Sequence, residues 1–250
     1  MTKKIDKYKV QAAFVRSFFD AFSHGVIESQ MEDRNEKTTP QSVKKLMLEH
    51  YEHIAPAFFD TMFFPLAAMN YKYEDIAALA REAQQRGDDM MALVRTACGD
   101  EAYYNAMVEE YKRNFSMLLA GRYLSNADHL EGYVRKAKEE TEASVDSDRA
   151  IELTVRVVMF AYVRGLRQTG ENARSDRSAH LRQVHPLRGA TLFRLMLDAM
   201  NILLLDEAVD FADAEAADLA SLFLKVCQTQ HNFTVMTNEM DRTYSELMKE

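Results

Sequence analysis

The chain has little of what strands, disulfides and metal centres are made from. Among its 250 residues are only eight glycines and four prolines, too few for the many tight turns of a β-fold, while Ala, Leu, Met, Glu and Arg are plentiful. That balance predicts an all-α protein. The two cysteines, Cys98 and Cys227, stand far apart with no CxxC pair and no adjacent second ligand, which speaks against a disulfide framework or a zinc site and fits a reducing cytoplasm. Lysines open the N-terminus, but Gln11, Arg16, Ser17 and Asp20 interrupt the apolar core that an export signal requires. The longest apolar helical stretch covers about 16 residues and contains Arg194 and Asp198, short of the ~20 needed to cross a bilayer. There is no Gly-x-Ser-x-Gly, no Gly-rich phosphate loop and no readable Cys–His arrangement. A net charge of −8 argues against nucleic acid as a general partner.

What is present is helical periodicity. With 47% hydrophobic residues the chain can bury a substantial core. Val10, Phe14, Phe18, Phe22 and Val26 recur every four residues and predict a first helix over about 6–33. Thr39 followed by Pro40 reads as an N-cap with proline at the first helical position, opening a helix over about 40–54. Pro56 and Pro65 are expected to bound a short Phe-rich corner after that helix. Further helices are expected over about 74–86, 89–97, 100–119, 126–142 and 147–168, with Gly87, Gly99 and Gly121 as C-terminal caps. No repeat of fixed period is visible. The reading is one α-helical bundle over residues 1–250, of about nine or ten helices, with a possible weak subdivision near 171–178.

The stretch around which that bundle is organised runs from about 164 to 209. From Ala190 to Leu205 the only polar residues are Thr191, Arg194, Asp198 and Asn201, at steps of three, four and three. They form one narrow stripe on an otherwise apolar helix, which must therefore be interior, beside the helix over 147–168. The connector before it is rich in arginine, and Pro186 is expected near the first helical position. Free backbone N–H groups of residues 187–190, flanked by Arg174, Arg177, Arg182, His185 and Arg188, would then seat an anion or an acidic partner. Residues 164–194 hold seven arginines against two acids, whereas residues 198–250 hold eleven acids against three bases. An apolar helix of about 20 residues would separate these poles by roughly 30 Å. Antiparallel pairing of two chains would join them, so a salt-sensitive homodimer is expected.

Two further patterns bear on function. A final helix is expected from about 213 to 248, with Leu219, Val226, Phe233, Met240 and Leu247 at a spacing of seven. That seam serves either a homodimer or packing within one chain. Glu49 and His53, four apart, could offer a carboxylate and an imidazole to one metal, but Lys45 and Glu49 also make an ordinary helical pair, and His50 lies on the apolar face. No cofactor is indicated. The leading expectation is a non-catalytic cytoplasmic regulatory or adaptor protein that binds a protein partner, with no membrane association. The alternative is a sensor of an anionic metabolite or cofactor, or a helical enzyme, with its pocket between the two interior helices.

Overall fold

The computed structural model describes residues 3–34, 39–120, 143–168, 177–205, 219–247 and 249. The chain is all-α: ten helices among the described residues and one two-stranded ribbon. β1 (Lys4–Asp6) leads into α1 (Lys7–Arg34), followed by α2 (Pro40–Glu49), α3 (Tyr51–Asn70), α4 (Tyr73–Arg86), α5 (Met90–Cys98) and α6 (Glu101–Leu119). β2 (Ser144–Asp146) then leads into α7 (Ser147–Gln168), followed by α8 (Arg177–Leu204), α9 (Leu219–Cys227) and α10 (Gln230–Leu247).

Local chemistry sets most of these ends. The Thr39 hydroxyl accepts from the Ser42 amide at 3.2 Å, with Pro40 at the helix start. Asp89 and Asp100 cap the next helices by accepting from Ala92 and Ala102, and Gly87 and Gly99 close helices at positive φ. Pro56 and Pro65 do not break α3, which runs through both. Each proline removes one backbone hydrogen bond, while burial of Ile54, Phe58, Phe59, Met62 and Leu66 holds the helix to the core. The break falls instead at His50, between α2 and α3. Expected features at 121–142, 169–176 and 206–218 lie outside the described residues.

The centre of the molecule is α1 against α7, not α7 against α8 as the sequence suggests. Both start from the ribbon and run side by side in the same direction to a crossing 18 residues along. There Gly25 meets Gly165. A Cβ on Gly25 would lie 2.3 Å from the Tyr162 carbonyl oxygen, and one on Gly165 would lie 2.2 Å from that of Phe22. Only residues without a Cβ let these backbones approach so closely. From Tyr8 to Ser23 every side chain of α1 is buried, since α6 flanks it, α8 and α3 lie against it, and α7 covers the remaining side.

The same plan is used twice. Ile5 pairs with Val145 at the middle of the antiparallel ribbon. The Lys7 amide donates to Ala143, and the Ser147 amide donates to Lys3. Gly25 faces residues 162 and 166 as Gly165 faces residues 22 and 26, an offset of 140 throughout. Further along, the buried residues Met107, Glu110, Asn114 and Leu118 of α6 correspond at an offset of 129 to Met236, Glu239, Thr243 and Leu247 of α10. Glu110 is held by Arg113 at 2.7 Å and Glu239 by Arg242 at 3.3 Å. Before these helices, buried Cys98 precedes Gly99 at φ 70°, and buried Cys227 precedes Gln228 at φ 64°. α6 lies on α1 and α10 on α7; α5 backs α3 and α9 backs α8. The chain is thus an internal duplication around a pseudo-twofold axis through the ribbon and the glycine crossing. α3 and α8 occupy equivalent places at an offset of 138, with α8 one continuous helix where α2 and α3 are two. Its period is not fixed because the connections differ in length.

Thermal melts test the crossing. Gly25→Ala and Gly165→Ala should each lose about 3 kcal/mol, because the clash is with backbone. Gly189→Ala, where a Cβ meets open space, should gain about 0.5–1 kcal/mol. Small, equal effects at all three positions would contradict this geometry.

Candidate functional site at the α1–α8 seam

The polar stripe expected on the apolar helix is present, and its surroundings are more informative than the helix itself. On α8, Arg194 is exposed, Asp198 half-buried and Asn201 fully buried. They are spaced so that they descend one face of the helix into the seam with α1. α1 answers with a stripe of its own, Arg16, Asp20 and His24, at steps of four. Lys9 Nζ donates to the carbonyl of Leu205 at 2.9 Å and ties the far end of the seam together.

Arg16 is 2% exposed and lies 3.5 Å from the Asp20 carboxylate. Burial pushes the Asp20 carboxyl up to about 7, the Arg16 guanidinium opposes this, and the Asp198 carboxylate facing it from α8 adds to the rise. Burial pulls the His24 imidazole down to about 4. Near pH 5.5 the folded protein therefore keeps both groups neutral, a protonated acid and an unprotonated imidazole, whereas in water both would be charged. The Ser17 hydroxyl, on the same side of α1, is buried with no hydrogen-bond partner among the described residues.

The duplication supplies an internal comparison. In the equivalent seam between α7 and α3, Phe160 stands at the place of Asp20, Phe63 at that of Asn201, Pro56 at that of Arg194 and Val157 at that of Ser17. Arg156, the counterpart of Arg16, is gripped by Glu239 at 2.5 Å and by Glu246 at 3.2 Å, and lies over the Phe64 ring. Arg164 and Asp60 make an ion pair at the rim, where the first seam has His24 and Asp198. The same helix packing thus carries Phe160, Phe63 and Val157 in one seam where the other carries Asp20, Asn201 and Ser17, with an arginine at the equivalent place in both.

The other sequence-derived candidates fare differently. α8 begins at Arg177, so the amides of 187–190 lie inside a continuous helix and the anion seat at a helix start near Pro186 is lost. Arg177, Arg182, His185 and Arg188 belong to that helix, but their side chains, and all of Arg174, lie outside the described residues. The C-terminal seam is interrupted at Gln228 between α9 and α10. Val226 and Leu247 are in the core, and Phe233 and Met240 pack partly buried against it. They serve packing within the chain; the Leu219 side chain lies outside the described residues. Glu49 ends α2, where it meets Lys45 at 3.9 Å, and His53 lies on α3 beyond the bend, exposed. The two do not share one helix face, and no cluster of three or more metal-ligating side chains occurs among the described residues. His50 is at the elbow, half-exposed, not in the core.

Burial raises the Cys98 and Cys227 thiols to about 12 and about 11, so neither is a thiolate at neutral pH. Sequence reasoning met Arg16 and Asp20 only as interruptions of an apolar stretch. Their spacing with His24 was the missing signal: a second polar stripe on a second interior helix.

No family model, curated protein or solved structure matches the chain.

The two shifts oppose each other in the dependence of stability on pH. Asp20, raised from 3.8 to about 7, contributes stability that falls as pH rises through that window. His24, lowered from 6.5 to about 4, contributes stability that falls as pH drops through its own. Between about pH 4 and 6.5 the slopes largely cancel. Asp20→Asn should unmask the histidine, so that stability rises with pH across that interval by on the order of 3 kcal/mol. His24→Gln should reverse the sign. Chemical denaturation of both variants at pH 4.5, 5.5 and 6.5 reads the slopes, and two slopes of the same sign would refute the assignment.

Proposed function

We propose that the protein acts by binding a protein partner, as a non-catalytic helical adaptor or regulator in the cytoplasm. The observation that carries this reading is the apolar elbow between α2 and α3. Leu48 is 51% exposed and Tyr51 59% exposed, and Tyr51 leans on Phe115 of α6 with ring centroids 5.6 Å apart. Beside them is a depression of about 420 Å³ lined by Gln41, Lys44, Lys45, Leu48 and Glu49. Large apolar side chains rimmed by charged ones are the composition of a contact surface. The second unit continues its helix straight through the equivalent position, so the bend is particular to the half that carries this surface.

Two facts support binding over turnover: both thiols are buried and protonated, and Arg156, Glu239 and Arg242 are committed to one another. The free buried cysteines fit a reducing compartment. Among the described residues no helix is long and apolar enough to cross a membrane. The sensor or enzyme alternative is not favoured by the seam expected to hold its pocket, because α7 and α8 pack directly on each other.

The test is affinity capture from the source cell with mass spectrometry of both proteins and small molecules, followed by calorimetry with the partner found. Leu48→Asp and Tyr51→Asp should each weaken that complex at least tenfold, and Tyr73→Asp, exposed on α4, should not. Unchanged affinity in the elbow variants, or a metabolite that co-purifies and is turned over, would refute the reading.

A further inference from the structure

The two equivalent seams differ in what it takes to open them. Separating α3 from α7 bares more of the half-buried Phe63 and Phe160 to water, an apolar loss, while its charged groups, Arg156 and the Arg164–Asp60 pair, lie against Phe64 and at the rim. Separating α8 from α1 exposes Asp20, His24 and Asn201, polar groups that water solvates well. Asp20 can ionise and His24 can protonate once hydrated, so hydration returns much of what separation removes. The apolar framework of the two helices is otherwise alike: Phe58, Phe59, Met62 and Leu66 of α3 match Met196, Leu197, Met200 and Leu204 of α8, all buried. The fold itself can build this junction with phenylalanine at the places of Asp20 and Asn201, because the α3–α7 seam has Phe160 and Phe63 there. Polar groups at interior positions where the same fold accepts phenylalanine mark a constraint other than packing.

We infer that α8 is a releasable helix: its seam with α1 is built to open, while the equivalent seam of α3 with α7 is built to stay shut. Opening would present the Arg16–Asp20–His24 face of α1, a polar surface that the closed molecule keeps covered. This inference does not depend on the elbow being the partner surface. It concerns a different face, and the loss of one leaves the other standing.

Hydrogen exchange on the intact, unmodified chain tests it. Amides of residues 195–204 in α8 should exchange at least tenfold faster than those of residues 57–67 in α3, in a cooperative opening that does not require global unfolding. Asp20→Leu should slow the α8 exchange at least tenfold and leave α3 unchanged. The inference is overturned if the wild-type chain protects the two segments equally, a result that needs no variant. It is also overturned if Asp20→Leu speeds exchange in both segments alike, which would make Asp20 a structural hub and not a release point.

Discussion

Everything in this molecule hangs on the approach of two backbones at Gly25 and Gly165. With any Cβ there, α1 and α7 could not share a centre, and the pseudo-twofold axis would have nothing to pass through but the ribbon. Because they meet, one side of each helix is fully covered by the other, and the remaining sides must be covered by helices that come later in the chain. α6 and α10 take the outer flanks, while α3 and α8 lie across the pair. The short connections then fix where α5 and α9 must go.

Duplication turns one chain into its own control. Where the two units agree, the residue is required by packing. Arg16 with Arg156, Glu110 with Glu239, Cys98 with Cys227 and the left-handed residue after each cysteine recur because the same junctions recur. Where they disagree, one solution exceeds what the fold demands. The α1–α8 seam is the largest such disagreement, and it lies in the interior, where departures are least tolerated. A second disagreement is the elbow at His50, where the other unit has an unbroken helix and the surface is locally apolar. The two sites are independent in structure, one a face that could be uncovered and the other a face already open.

Much of this was legible from the residues. Caps at Thr39, Asp89, Asp100, Gly87 and Gly99 are local chemistry, and they mark helix ends to within a residue or two. The polar stripe from Thr191 to Asn201 correctly predicts that its helix is interior. What was not legible depends on tertiary context. Pro56 and Pro65 carry a strong local signal to stop, which the burial of the phenylalanines around them overrides. Gln228 adopts a positive φ that its residue type does not advertise, so α9 and α10 read as one helix with a continuous heptad. The duplication is hidden because the equivalent residues share size and burial more than identity, and because the offset shifts from 140 to 129 between helices. Pro186 has the residue type of a helix start, yet α8 runs through it. With that, an anion site deduced from free amides loses its premise.

The central claim is that one packing plan is used twice, and it is tested most directly at the Arg156–Glu239 contact between α7 and its outer flank and at the equivalent positions, Arg16 and Glu110, of the other unit. Double-mutant cycles on Arg156 with Glu239, and on Arg16 with Glu110, report whether both contacts exist. The account predicts a coupling energy of about 1 kcal/mol or more in each cycle, because both pairs occupy the same place in equivalent units. Coupling in the first cycle with none in the second would contradict the duplication at the point where it should be closest.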